Sequence, residues 1–191
     1  MGLMIHSLGE LPTKACRGYY VYLLDYGWQE PMVDLLYKNF GRLSDLASHN
    51  NAVVLRGTVG SHFVDEVLSW HHVNGQDAKD ILPAILVTTR HPEEFRLAEK
   101  KTIPKHPMLL IPLRQICKSA DEAIPLVEKI FSDIKDRKKL SDFTVAKQLK
   151  KGQNGALVDA LILQPNIGGI GVDLKVLGTL LGHAAKKVLG S

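Results

Sequence analysis

Ile81–Arg90, ILPAILVTTR, is the stretch from which the fold can be read. A continuous apolar run with β-branched residues, bounded by polar residues and by Pro92, suits an interior strand of a sheet covered on both faces. Pro83 has no N–H to give to a ladder, so it belongs at the entrance of that strand rather than in its middle. Proline there also admits a cis peptide bond.

Working outward, further elements fall into place on either side. Tyr19–Tyr26, YYVYLLDY, reads as a strand, and Gly27 and Trp28 end it. Pro31 suits the first turn of a helix that carries Met32, Leu35, Leu36, Phe40 and Leu43 at helical spacing. Asn50 and Asn51 mark a turn, and Asn51–Arg56, NAVVLR, reads as a second buried strand. Gly57–Gly60 is a loop. Ser61 is a predicted N-cap for a helix with Phe63, Val64, Val67 and Leu68 on one face. Beyond the central strand, Glu93 and Glu94 suit the first turn of a short helix after Pro92. Met108–Ile116 reads as a strand, with Pro112 pointing to an edge position or a bulge. Ser119–Glu122 has the spacing of a capping box, opening a helix that carries Ile124, Val127, Ile130, Phe131 and Ile134. Residues 1–18 read as an irregular lead-in or a short edge element. The order β-α-β-α-β-β-α predicts an α/β fold, a mixed sheet flanked by helices.

Length and composition narrow the classes. The 191 residues suffice for one good core. The formal net charge of +4 is mild and favours acidic partners only where it is clustered. The two cysteines, Cys16 and Cys117, form neither a disulfide framework nor a metal-site spacing, so a reducing, cytoplasmic setting is expected. The N-terminus lacks the basic and apolar regions of a secretory signal, and no apolar run reaches the ~18 residues of a spanning helix. His71 and His72, adjacent on a helix, point about 100° apart and do not converge on a metal. Gly168–Gly171 lacks the lysine and hydroxyl residue of a phosphate loop, and no nucleotide-binding or hydrolase motif occurs. No cofactor, metal or catalytic constellation is therefore expected.

The element order, with a proline opening the third strand, resembles the thioredoxin-like superfamily over residues 19–135. Asp25-Tyr-Gly-Trp28-Gln-Glu-Pro31-Met32 is similar to the segment in which a tryptophan precedes Cys-Gly-Pro-Cys. Gln29 and Met32 stand at the two cysteine positions, and Leu82-Pro83-Ala84 stands at that family's cis-proline. The resemblance thus implies a redox-inactive member, because disulfide exchange needs a thiolate of lowered pKa and a resolving thiol. It further implies a peptide-docking surface formed by Trp28, Gln29, Pro31, Met32 and Pro83. The plainer alternative makes Trp28 and Met32 core residues at a helix start.

After Ile134 the character changes. Residues 136–155 read as a basic hinge with a glycine-rich break, and 156–191 as an amphipathic C-terminal helical region. Ile170, Leu174, Leu177, Leu181, Ala184 and Val188 alternate by four and three, an a/d stripe with Gly178 and Gly182 permitting close approach. The stretch from Gly169 is similar to membrane-active amphipathic peptides. The stripe can serve as a last element of its own domain, as a homo-oligomer or partner seam, or as a peripheral membrane contact beside Lys186 and Lys187. Nucleic acid ranks below these because few aromatics are available to stack bases. The reading that results is a non-catalytic interaction or assembly module. The alternatives are a thiol-dependent enzyme using Cys117 or Cys16, and a nucleic-acid-associated subunit acting through the basic hinge.

Overall fold

A computed structural model describes residues 1–13, 16–27, 30–71, 73–74, 81–97, 107–147, 162–163 and 172–173. Six strands form one mixed sheet: β1 (Gly2–Ile5), β2 (Tyr19–Leu24), β3 (Ala52–Gly57), β5 (Ala84–Thr88), β6 (Met108–Pro112) and β7 (Ile162–Leu163), in the order β1-β3-β2-β5-β6-β7. β1, β3 and β2 run parallel, and β5, β6 and β7 follow in antiparallel pairs. The parallel pairs need crossovers, and helices supply them. α1 (Pro31–Lys38) and α2 (Phe40–His49) connect β2 to β3, and α3 (Phe63–Trp70) leaves β3.

Both faces of the sheet are covered, as the unbroken apolar runs require. Along every central strand the side chains alternate between two cores. Tyr20, Tyr22, Val53, Leu55, Leu86 and Leu110 face α3 and Phe95 of α4 (Pro92–Leu97). Val21, Leu23, Val54, Ile85, Val87 and Ile111 face α1, α2 and α6 (Ala123–Lys135). The α6 stripe Ile124, Val127, Ile130, Phe131 and Ile134 is buried as its spacing predicts, and so is that of α3. The Leu82–Pro83 bond is cis, and Pro83 directly precedes β5.

The lead-in contains a short edge strand, β1, one of the two forms expected of it. Several other expectations are corrected. The single helix expected after Pro31 is two, broken at Asn39, which caps both. Its buried residues include Val33, which spacing alone did not select. Met108–Ile116 is strand only as far as Pro112, and Leu113–Ile116 coils into α5. Proline there ends the strand and makes no bulge within it. Ser61 is not the cap of α3: that position is His62, and the Ser61 hydroxyl turns back to donate to the Thr58 carbonyl at 2.8 Å. The Ser119 hydroxyl makes no cap bond either. Glu122 accepts from the Lys118 N–H at 2.8 Å, and a 3-10 turn over Ala120–Glu122 precedes α6. A local pattern of this kind is overridden when a competing hydrogen bond lies closer.

Of the segment read as a basic hinge, residues 136–147 are described, and part of them packs into the core. Leu140, Phe143, Val145 and Ala146 are all buried in the α6-side core. The buried Asp133 holds them there: its carboxylate accepts from Lys138 Nζ at 2.6 Å, from the Thr144 N–H at 2.5 Å and from the Thr144 hydroxyl at 3.0 Å. In the tail, Ile162–Leu163 pairs antiparallel with Met108–Leu109. β8 (Val172–Asp173) pairs parallel with β4 (Val73–Asn74) in a separate two-stranded ladder. At residues 172–173 this replaces the helix that the a/d spacing predicts, because ladder pairing overrides local periodicity. The stripe positions Ile170, Leu174, Leu177, Leu181 and Val188 lie outside the described residues, as do Trp28, Gln29 and His72. Among the described residues no helix is long and apolar enough to cross a membrane.

Candidate functional site

The carboxyl end of the parallel strands gathers the chemistry. In sheets of this type the chain leaves each strand there and turns into a loop, so a crevice forms between neighbouring loops. β2 ends at Leu24, and Asp25 follows. Its Oδ1 accepts the Gly27 N–H at 2.7 Å, closing a tight turn in which Gly27 takes φ +72°, a region open to glycine at no steric cost. The Tyr37 hydroxyl, arriving from the last turn of α1, lies 2.7 Å from each Asp25 oxygen. Burial, reinforced by that hydrogen bond to a carboxylate, pushes the Tyr37 phenol well above its ordinary range, so it remains a donor. The Arg56 guanidinium, from the end of β3, stacks 3.3 Å over the centre of the Tyr37 ring and 5.5 Å from that of Phe40.

Strand register brings the proline to the same place. Leu24 pairs with Ala84, so Pro83 stands across from Asp25. The Pro83 carbonyl accepts the Leu113 N–H at 2.9 Å, which starts α5 there. Arg114 of α5 forms an ion pair with Glu30, the N-cap residue of α1. Cis-proline, α5 and the α1 entrance are therefore tied together. Of the expected docking residues, Pro31 is exposed, Met32 is half-buried against the α6-side core, and Pro83 is buried.

Beside them lies a cavity of about 320 Å³ between the loop after β2 and the loop after β3. Asp25, Tyr26 and Tyr37 form one wall. Thr58–His62 and the first turn of α3 form the other. The Thr58 N–H donates to the Ile5 carbonyl at 3.0 Å and anchors the second loop to β1. Gly60 turns at φ +78°, leaving Val59 fully exposed at the tip. The Tyr26 hydroxyl donates to Asp65 Oδ1 at 3.1 Å across the cavity mouth. A second cavity, of about 550 Å³, opens at the opposite end of β2 among Tyr19, Asn51, Lys135 and Arg137.

Tyr37, Arg56 and the loop after β3 are site elements that sequence patterning did not single out. One signal was present: Arg56 is a lone charge closing an otherwise apolar strand, NAVVLR.

The cysteines diverge. Cys117, buried, has its thiol pushed up to about 11, first by burial and then by the Glu122 carboxylate, so it stays protonated near neutrality. Cys16 is exposed, with Sγ 3.9 Å from the Thr13 carbonyl. His71 is fully buried, its Nδ1 2.7 Å from the Val67 carbonyl and its ring centre 4.6 Å from that of Phe95, a packing role. No group of His, Cys, Asp and Glu suited to a metal ion occurs among the described residues.

The chain matches no family model, no curated protein and no solved structure.

Proposed function

We propose that this chain is a thioredoxin-like domain without redox cysteines that binds polypeptide at the carboxyl end of its parallel strands, as a non-catalytic interaction or assembly module. The observation that carries the reading is the juxtaposition of Pro83 with Asp25 across the β2–β5 pairing and, through α5, with Glu30 at the entrance of α1. The strand order β3-β2-β5-β6, two parallel strands followed by two antiparallel ones, supports it as well. Glutamine at 29 and methionine at 32 leave that loop without the thiols of disulfide exchange. Exposed Pro31 and Tyr26, together with Val59, offer apolar contact beside polar groups already held in place.

The C-terminal stripe, Ile170, Leu174, Leu177, Leu181 and Val188, belongs to the same proposal as an oligomer or membrane contact. Light scattering on the full chain and on the L174E/L181E variant tests that part. An oligomer that dissociates supports a self-association seam, and an unchanged mass removes it.

Peptides selected from a displayed library against the full chain test the docking surface. Pro31→Glu is the diagnostic variant. Glutamate is favourable in the first turn of a helix, so the fold is retained while the surface changes. Selected peptides are expected to lose at least about tenfold in affinity, the 1.4 kcal/mol of one lost contact. Peptides that bind Pro31→Glu and the parent equally would place recognition elsewhere.

A further inference from the structure

The cavity between the loops after β2 and β3 has walls whose charge selects a ligand. Two carboxylates, Asp25 and Asp65, line it, and no lysine or arginine does so among the described residues. Tyr26 and Tyr37 contribute ring surface. Asp25 is in no ion pair among the described residues, and its hydrogen bonds come from neutral donors, the Tyr37 hydroxyl and the Gly27 N–H. These donors orient the carboxylate, and the Arg56 guanidinium stacked over the Tyr37 ring forms no ion pair with it among the described residues. The Asp65 side chain is 60% exposed and meets His62 only at 3.8 Å.

The competing consideration is α3, whose N-terminus borders the cavity and would favour an anion by about half a charge. Asp65 and Glu66 already occupy the first turn of α3, and Glu66 accepts from the Ser7 hydroxyl and the Leu8 N–H, both at 2.8 Å. Two full negative charges at that turn outweigh the dipole, so an anion is disfavoured. Size narrows the choice further. About 320 Å³ is at the small end of ligand sites, enough for one side chain and too small for a dinucleotide or haem.

We infer that this cavity is the subsite for a lysine or arginine side chain of the bound polypeptide. The cationic head meets Asp25 and Asp65, and the aliphatic stem lies along Tyr26, Tyr37 and Phe63. Charge-assisted hydrogen bonds to the two carboxylates supply the selectivity. The inference rests on the peptide-docking reading and adds the chemistry of one anchor.

Its test is amide-resolved NMR titration of the full chain with Nα-acetyl-lysine-N-methylamide, and with the norleucine analogue as the uncharged control. The lysine probe is expected to shift Gly27, Gly60 and Asp65, with an affinity that falls as salt rises, and the norleucine probe to leave them unmoved. Asp65→Asn weakens the lysine probe about two- to fivefold, the span of an exposed ion pair, and D25N/D65N abolishes the shifts. Equal responses to the two probes, shifts confined to other residues, or an affinity indifferent to Asp65→Asn would each overturn the inference. A library-selected peptide separates the two levels. If it perturbs Met32 but its binding ignores both aspartates, the cationic subsite fails while the docking surface stands. If it leaves Met32 unperturbed as well, both fail.

Discussion

Each end of β2 is built around an aspartate, and the two are treated in opposite ways. At the amino end Asp133 is 2% exposed and its charge is answered by Lys138, with Thr144 supplying two further donors. At the carboxyl end Asp25 is held by a phenol and an amide, neutral donors that leave its charge in place beside a cavity. A carboxylate saturated by its own cation is a brace, because nothing is left for a ligand to satisfy. A carboxylate oriented but not neutralised can still meet a partner. The same residue type thus braces the chain at one end of β2 and borders a cavity at the other.

The largest expected effect is at the brace. Asp133→Ala removes the acceptor of three bonds and leaves the half-buried Thr144 N–H without its partner. A loss of about 3 kcal/mol in unfolding free energy is expected, measured by urea denaturation. Affinity of the folded variant for the lysine probe should be unchanged, since the other end is untouched. A loss well under 1 kcal/mol would show that the 140–146 segment is held by its apolar side chains alone.

Tyr37→Phe comes next. It deletes the donor to both Asp25 oxygens while keeping the ring under Arg56. About 1–2 kcal/mol of stability should be lost, together with ordering of the Asp25–Gly27 turn. Unlike Asp133→Ala, this variant should also change binding of the lysine probe. A variant that loses stability but keeps full affinity would mean that the turn is held without the phenol.

This contrast explains what the sequence made legible. The central strands follow from their unbroken apolar runs, the α3 and α6 stripes from helical spacing, and the turn after Pro92 from its acidic first turn, because each signal lies among near neighbours in sequence. The brace and the site do not. Asp133 bonds to Thr144 around a bend that its basic composition marked as a hinge. Leu140, Phe143, Val145 and Ala146 are too few and too irregularly spaced to announce their burial. Asp25 meets Tyr37 twelve residues on, and Arg56 closes over that ring from a neighbouring strand. Such contacts are set by how the elements pack in space, which no local pattern contains. Pro83 was legible because its missing N–H restricts it to a strand entrance. Its position across from Asp25 came only with the β2–β5 pairing.

A pH effect smaller than either variant separates the two ends again. At the amino end the His91 ring packs edge-on against Tyr20, with centres 5.5 Å apart. Burial holds its pKa below the ordinary 6.5, against the opposing pull of Glu93 and Glu94. The unfolded chain therefore takes up this proton first as pH falls. The stability tied to neutral His91 is fully present above about 6.5 and is lost as pH drops through 6.5 toward the folded value, at most ~1.4 kcal/mol per pH unit. Unfolding measured between pH 7.5 and 5.5 should show this slope, and His91→Gln should flatten it. An unchanged slope in that variant would move the effect to other groups.

The smallest perturbation is chemical labelling, which leaves the fold intact and reads the two cysteines, one near each end. Cys117 caps α5 beside the carboxyl-end site, is 6% exposed, and has a thiol raised to about 11. At pH 8 about one part in a thousand of such a thiol is thiolate, against roughly a quarter for an unperturbed one. Cys16 is exposed at the other end. Reaction with a disulfide reagent at pH 8 should therefore show one fast equivalent, removed by Cys16→Ser, and a second only in denaturant. Fast labelling of Cys117 in the native chain would show that α5 opens readily. It would also return a reactive thiol to the neighbourhood of Pro83, and with it the reading of this end as a site of chemistry rather than of docking.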